Sequence, residues 1–317
     1  MFSIPFRSGF RKGNSHGVDK FLCVDKYPMP DYTFLAGRAV SPGGKRGSKM
    51  TLTVPGLTVL CIAVSCLMGI AIPVGLLLYF KKKKGADFQP FPVGAAAFLI
   101  FAGVESVLMN MLLSTPAGEA IQSKLWLYAL IAGLMPGLFE ETARYMAFRF
   151  VLRKRLDKDV NALMYGAGHG GVEVFIALAL PMVSNLSFAL MMNNGQGYAL
   201  TENLTGEALE NVRAHMELLA TTPAWQFLLG IPERVSAVAI HLSLSVLVWF
   251  SVKKRTPSHY VTAVLLHAVA DSATVVLSSL GIPVPVLEAI LLVIAAGCVA
   301  VARRVWRENA VILPSGT

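Results

Sequence analysis

Residues 133–150 read GLMPGLFEETARYMAFRF, a stretch apolar enough to lie in lipid that nevertheless contains two adjacent glutamates and an arginine. A charged side chain at the centre of a bilayer costs about 2.5 to 3.5 kcal/mol on insertion scales, so such residues face a protein interior or a water-filled cavity and have partners there. The stretch therefore predicts a membrane helix with a polar inner face.

The composition of the whole chain agrees with a membrane protein. Of its 317 residues, 55% are hydrophobic and only 15% are charged, which is too apolar for a soluble domain with a polar shell. A span requires about 20 mostly apolar residues, and seven windows meet this requirement. They cover residues 55–80, 90–113, 125–152, 160–192, 223–251, 258–280 and 284–302. We therefore predict an all-α, polytopic membrane helix bundle of about seven transmembrane helices.

Basic residues predict the orientation of the bundle. Runs at 81–84, 153–158, 253–255 and 303–307 fall on alternate loops, and basic loops favour the cytosolic side. This rule places the N-terminus outside, the C-terminus in the cytosol, and an acidic loop at 193–222 outside. The net charge of +9 is then explained by topology, and no nucleic acid partner is predicted.

The first 49 residues do not fit this scheme, because they hold nine Lys or Arg against three Asp and yet would lie outside. Two explanations remain open: residues 1–49 are a basic, disordered extension, or they result from a mis-called start and translation begins at Met50. We favour the second, since MTLTVPGLTVLCIAVSC from Met50 resembles the beginning of a membrane protein. The predicted domain division is thus 1–49 and a transmembrane protease-like domain at 50–317.

Groups of two or more ionisable residues occur in four of the predicted spans, often four positions apart on one helix face. They are Glu140, Glu141 and Arg144, then His169 and Glu173, then Glu233, Arg234 and His241, and finally His267 and Asp271. Measured from the basic end of each span at 1.5 Å per residue, most of them lie roughly 14 to 22 Å deep. Glu233 is nearer the outer edge, at about 30 Å. Independent ion pairs have no reason to share a depth, so the sequence predicts one polar layer, with a single wet pocket, that four helices build together.

Two chemistries suit such a layer. A buried glutamate beside a second carboxylate can take a proton from water and pass it to a leaving amine, while an imidazole and a further donor stabilise the oxyanion. Alternatively, His169, Glu173 and His267 are acceptable zinc ligands. The HExxH signature of zinc proteases is absent, so we favour metal-free glutamate catalysis, with no cofactor, and keep zinc as the alternative.

Four motifs on successive spans resemble a known family. EETAR at 140–144, GHGGVE at 168–173, ERVSAVAIH at 233–241 and HAVAD at 267–271 resemble, in this order, the YhfC family of intramembrane peptidases. That family is similar to the CAAX prenyl endopeptidases and the PrsW-type proteases. The resemblance covers the chain from about Met50 to its end.

The resemblance implies roles for individual residues. It implies that Glu140 or Glu141 activates water, with Glu140 preferred, and that Glu173 helps to hold that water. It implies oxyanion support from His267 and Asp271. Arg144 and His169 depart from the pattern of the prenyl endopeptidases, so their catalytic roles are less well defined. Supporting roles fall to Glu233, Arg234 and His241.

The predicted function is hydrolysis of a peptide bond in a membrane-embedded or lipidated substrate, in the lipid bilayer of a bacterial plasma membrane. A proton-coupled transporter or channel is the alternative, because proton relays also use buried carboxylates and histidines. Neither an evident internal repeat nor a charge path across the membrane favours transport.

Overall fold

The computed structural model describes residues 52–310, which form helices and connecting loops without a β-strand. The helices are α1 Gly56–Lys84, α2 Pro90–Leu113, α3 Pro116–Gln122, α4 Leu125–Met146, α5 Val160–Val174, α6 Leu180–Asn193, α7 Gly206–Thr221, α8 Gly230–Lys254, α9 Pro257–Ser279 and α10 Val284–Asn309. The predicted extension at 1–49 and the alternative start at Met50 lie outside the described residues. The predicted all-α, polytopic fold class is confirmed.

Six helical segments within residues 52–310 are long and apolar enough to cross a membrane. They are α1, α2, the α5–α6 unit, α8, α9 and α10, which correspond to six of the seven predicted spans. The seventh, α4, has 22 residues, but its charges at 140, 141 and 144 lower its hydropathy. It packs against α2 and α9, which are both candidate spans, and its assignment as a seventh span stays a prediction.

The four basic runs meet at one end of the bundle, which we call the basic end. Lys158 and Arg155 bind Asp87 in the α1–α2 loop, with N–O distances of 2.9 and 3.0 Å. Lys253 at the end of α8 binds Asp159 before α5. These contacts gather the loops that the orientation rule predicts to be cytosolic.

Helix α8 is the centre of the bundle. In its most apolar 18-residue window 83% of the residues are buried, against 22 to 39% for the other candidate spans. Trp249, Phe250 and Leu244 on α8 are fully buried and form a core with Phe148 and Tyr165. Helices α4, α5, α9 and α10 therefore pack around α8.

Glycines allow two close helix contacts beside the polar layer. A Cβ atom at Gly133 would overlap Ser272 and the Ala268 carbonyl of α9, and one at Gly168 would overlap the Phe91 carbonyl of α2. Small residues permit such backbone approach between membrane helices. The glycine-rich segment at 166–171 therefore serves helix packing, and α5 continues through it without a break.

Two local features differ from the sequence prediction. The acidic loop at 193–222 contains a helix, α7. Wide π-helical turns follow α4 at Ala147–Val151 and join α5 to α6 at Phe175–Ala179; such turns are frequent at functional sites.

Candidate active site

The polar layer predicted from the sequence is one contiguous network in the structure. Nine of the ten predicted side chains are buried, none with more than 6% of its surface exposed. The nine are Glu140, Glu141, Arg144, His169, Glu173, Arg234, His241, His267 and Asp271. Glu233 is the exception, with 21% of its side chain exposed. Helices α4, α5, α8 and α9 each contribute residues to this network.

Glu140 lies at the junction of these four helices. Its Oε2 atom is 2.9 Å from Nε2 of His169 on α5. The same oxygen is 3.9 Å from Nε2 of His267 on α9 and 4.0 Å from Nδ1 of His241 on α8. Arg144, one turn further along α4, is 3.9 Å away. One carboxylate oxygen therefore has three imidazoles and a guanidinium around it.

Glu141 points in a different direction from Glu140, as expected for adjacent positions on a helix. Its Oε1 accepts hydrogen bonds from Arg144 and from Nδ1 of His267, the latter at 2.8 Å. Nε2 of His267 is also 3.4 Å from Oδ2 of Asp271. Carboxylates are acceptors only, so His267 can donate on both sides only when both ring nitrogens carry a proton.

The hydrogen bonds of His241 define its tautomer. Arginine can only donate, and an Nη2 atom of Arg144 lies 2.6 Å from Nδ1 of His241, so Nδ1 is the acceptor. Nε2 then carries the proton and donates it to Oε2 of Glu173. His241 is therefore held between two charged groups, a more central position than the supporting role predicted from the sequence.

The network continues from Glu173 towards the N-terminal end of α8, where Glu233 lies in the first turn. Arg234 donates to Oε1 of Glu173 at 2.9 Å and to Oε1 of Glu233. Glu288 on α10 lies within electrostatic range of Arg234 and Glu233. Glu288 has no ionisable residue four positions away on its own helix, so the sequence carries no sign that it belongs with the layer.

Aromatic rings enclose the imidazoles. Phe98 of α2 makes an edge contact with His169, with ring centroids 5.1 Å apart, and Tyr165 is fully buried near the same ring. The centroids of His169 and His241 are 5.0 Å apart, and those of His241 and His267 are 5.6 Å apart. Phe98 was not identifiable from sequence, since an aromatic residue in an apolar span carries no functional signal.

The donor set also fits a metal ion. Glu140, His169 and His241 each offer one ligand atom, and these atoms lie within 4.8 Å of one another. Two imidazoles and a carboxylate are a ligand set of catalytic zinc. The carboxylates of the network also outnumber its guanidinium groups, so it can accept further positive charge. In this triplet Glu140 and His241 take the places of Glu173 and His267 in the set predicted from the sequence, because α4, α5 and α8 meet at Glu140.

The fold and this centre define the protein as a multi-pass membrane protein with acidic and imidazole groups buried among its helices. The model of the YhfC intramembrane metalloprotease family matches residues 68–292. The chain is 35% identical over 215 residues to the "Uncharacterized membrane protein YhfC" of Bacillus subtilis (strain 168), which is 66% of this chain and 81% of that protein. No solved structure matches.

The chain therefore belongs to the YhfC intramembrane metalloprotease family. This confirms the family resemblance, although the matched region is shorter than the predicted range from Met50 to the end. It also confirms an integral, multi-pass membrane location. The relation to the CAAX and PrsW-type proteases stays a prediction.

Proposed function

We propose that the chain is an intramembrane endopeptidase that hydrolyses a peptide bond in a membrane-embedded or lipidated substrate. The observation that carries this proposal is the position of Glu140, whose carboxylate faces His169, His241 and His267 within 4.0 Å. A family named for intramembrane proteolysis supports the reaction class. The substrate class follows from the burial of this centre among spans.

In this proposal Glu140 takes a proton from water. The resulting hydroxide attacks the scissile carbonyl carbon, and Glu140 then passes the proton to the leaving amine. His169, bonded to Glu140 at 2.9 Å, orients the carboxylate. Both half-reactions are proton transfers at one carboxylate, so a single well-placed group suffices.

His267 is the proposed oxyanion donor. Its Nδ1 atom forms a hydrogen bond with Glu141. Its Nε2 atom is therefore directed towards Glu140 and Asp271. An imidazole N–H in a dry site stabilises a developing negative charge strongly. Asp271 positions this ring, and Arg144 holds Glu141 in place.

A bound metal would involve the same centre. Zinc would be held by Glu140, His169 and His241, and when bound it would polarise the scissile carbonyl and make its water a nucleophile near neutral pH. Because Nδ1 of His241 accepts a hydrogen bond from Arg144, ligation through that atom requires Arg144 to withdraw. Glu140 is indispensable in both the glutamic and the metal-dependent mechanism.

The proposal is tested with the full chain, in lipid, on a library of membrane peptides. Glu140→Gln should lower cleavage about 100- to 10,000-fold, the usual contribution of general acid–base catalysis. Glu217→Gln, which makes the same change on the exposed surface of α7, should cleave like the wild type. Unchanged cleavage by folded Glu140→Gln protein would exclude the assigned role.

Chelation then separates the two mechanisms. Cleavage that persists after metal has been removed to below stoichiometric content supports glutamate catalysis. Cleavage that is lost and then restored by zinc, together with zinc content that falls in His169→Ala, supports the metal-dependent mechanism.

One observation bears on transport as the second candidate. Polar contacts run from His241 through Glu173 and Arg234 to Glu233. They therefore extend beyond the layer, away from the basic end of the bundle. Arginine does not release its proton in proteins, however, so Arg234 interrupts a proton path. Proton flux into liposomes that disappears in Asp271→Asn would reverse this preference for proteolysis.

A further inference from the structure

A second polar site lies at the basic end of the bundle, separate from the network around Glu140. A cavity of about 670 Å³ opens between α4, α8 and α9. Its lining comprises Thr142, Tyr145, Arg149, Ser251, Val252, Arg255, Pro257 and Tyr260. Among residues 52–310, two arginines and no acidic residue line it, so the cavity favours an anionic ligand.

The two arginines are available to a ligand. Arg149 and Arg255 are both exposed, and neither forms an ion pair or side-chain hydrogen bond with another residue in 52–310. Arg255 also has a left-handed backbone conformation, with φ of 55°, where the chain turns from α8 into α9. Elsewhere at this end, Arg155, Lys158 and Lys253 are neutralised by aspartates.

Ser251 gives a second, independent indication of a ligand. Only 3% of this residue is exposed, it lines the cavity, and its Oγ atom has no hydrogen-bond partner among the described residues. A buried polar group without a partner is costly. A change of the Ser251 side-chain rotamer would let this hydroxyl reach a ligand oxygen in the cavity.

The cavity walls combine this basic character with apolar surface. Tyr145 and Tyr260 stack edge to face, with centroids 5.6 Å apart, and the Tyr260 hydroxyl bonds to Thr142 at 2.8 Å. Phe150, one residue beyond Arg149 and outside the cavity lining, has 63% of its surface exposed. A ligand with an anionic head and an apolar tail matches this arrangement.

We propose that this cavity binds the phosphate headgroup of an anionic phospholipid from the leaflet at the basic end. Basic pockets between membrane helices are known to hold such headgroups. Arg149 and Arg255 would contact the phosphate, Ser251 would donate to it within the cavity, and the acyl chains would lie along Phe150 in the membrane. This lipid site is independent of the proteolytic centre.

Titration of the detergent-solubilised full chain with phosphatidylglycerol and with phosphatidylcholine tests the site, with bound lipid read by native mass spectrometry. Wild-type protein should prefer phosphatidylglycerol. The double variant Arg149→Gln/Arg255→Gln should bind it about 30-fold more weakly, since each basic side chain near the surface contributes roughly a factor of five. The matched variant Arg303→Gln/Arg307→Gln, at the exposed end of α10, should retain wild-type affinity.

Two further arms discriminate among sources of the anion and modes of binding. Ser251→Ala should weaken phosphatidylglycerol binding about tenfold, the effect of one hydrogen bond to a charged group. Unchanged affinity in Ser251→Ala, or equal losses in the two double variants, would mean that the lipid is attracted by the basic surface in general and not bound in the cavity. Either result would overturn the proposal. Inorganic phosphate should not compete at equal concentration; if it does, the ligand is a soluble phosphate and the lipid assignment is wrong.

Discussion

Arg144 contacts residues of two different sequence motifs in the candidate site. It is fully buried, donates to Glu141 and to His241, and lies 3.9 Å from Glu140. Its spacing of three and four residues from the two glutamates predicted contact within α4. The contact with His241, 97 residues away, could not be predicted, because it depends on how α4 packs against α8.

Arg144→Ala should lower the free energy of unfolding by about 3 to 5 kcal/mol, because it leaves the buried Glu141 carboxylate uncompensated. Arg149→Ala, on the exposed turn after α4, should change it by less than about 0.5 kcal/mol. Thermal unfolding in detergent measures both. Equal stabilities of the Arg144→Ala and Arg149→Ala variants would contradict a stabilising role for the buried ion pair of Arg144 and Glu141.

Adding Glu141→Gln to Arg144→Met gives a further check on the same pair. Removing both charges should destabilise the protein less than removing the arginine alone. A double variant as unstable as Arg144→Met alone would mean that packing, and not charge, causes the loss.

Packing between helices brings the residues of the candidate site together, and the contact of α4 with α9 is the main example. Gly133 lets the α4 backbone touch Ala268 and Ser272, which brings Glu141 within reach of His267. The Gly133 and Gly137 pair is visible in the sequence as a small-residue motif, but its partner helix is not. The wide turn at Phe175–Ala179, two residues after Glu173, also had no sequence signal.

Gly133→Ala should destabilise the protein by about 1 to 3 kcal/mol, because the added methyl group overlaps α9. Gly103→Ala on α2, where no atom lies within 4 Å of an added Cβ, should be neutral or stabilising by up to about 1 kcal/mol. Comparison of the two unfolding temperatures tests this. Similar values would show that α4 and α9 can separate at no cost.

Asp87, in the loop between α1 and α2, forms ion pairs and a hydrogen bond with residues at the start of α5 and in the turn before it. A hydrogen bond from Lys158, with others from Asn161 and Arg155, lowers the pKa of Asp87 from 3.8 to about 2. Since the folded-state pKa is the lower one, this contribution to stability is present above pH 4 and is lost as the pH falls towards 2.

Asp87→Asn should therefore destabilise the protein by roughly 1 kcal/mol at neutral pH, a value reduced for solvent screening of these partly exposed groups. It should also remove the part of the pH dependence between about pH 4 and 2 that Asp87 contributes. Unfolding of both proteins across this range is the measurement. An identical decline in the two would exclude Asp87 as its source.

At the scale of the whole molecule, the basic runs and the acidic helix α7 occupy opposite ends of the bundle. Lys158 and Lys253 meet the aspartates at one end. At the other end Asn193, which closes α6, bonds to both backbone groups of Val54 before α1. The charge difference between the ends predicts that the basic end faces the cytosol.

Single cysteines in a background without Cys23, Cys61, Cys66 and Cys298 test this orientation. A cysteine at Glu210 on α7 should react with a membrane-impermeant reagent in intact cells, whereas one at Lys83 should react only after the cells are opened. The reverse pattern would invert the topology and place the lipid cavity in the outer leaflet.

From the sequence alone we could predict the helical membrane fold, the approximate limits of the spans and the shared depth of the ionisable residues. These properties follow from the length of apolar runs and from a fixed rise per residue, which are local. The packing of the helices is what places Glu140 against three imidazoles, groups Glu140 and His241 with His169 in place of Glu173 and His267, and brings Glu288 within electrostatic range of Arg234. Those contacts depend on the rotation and close packing of helices distant in sequence, which periodicity does not encode.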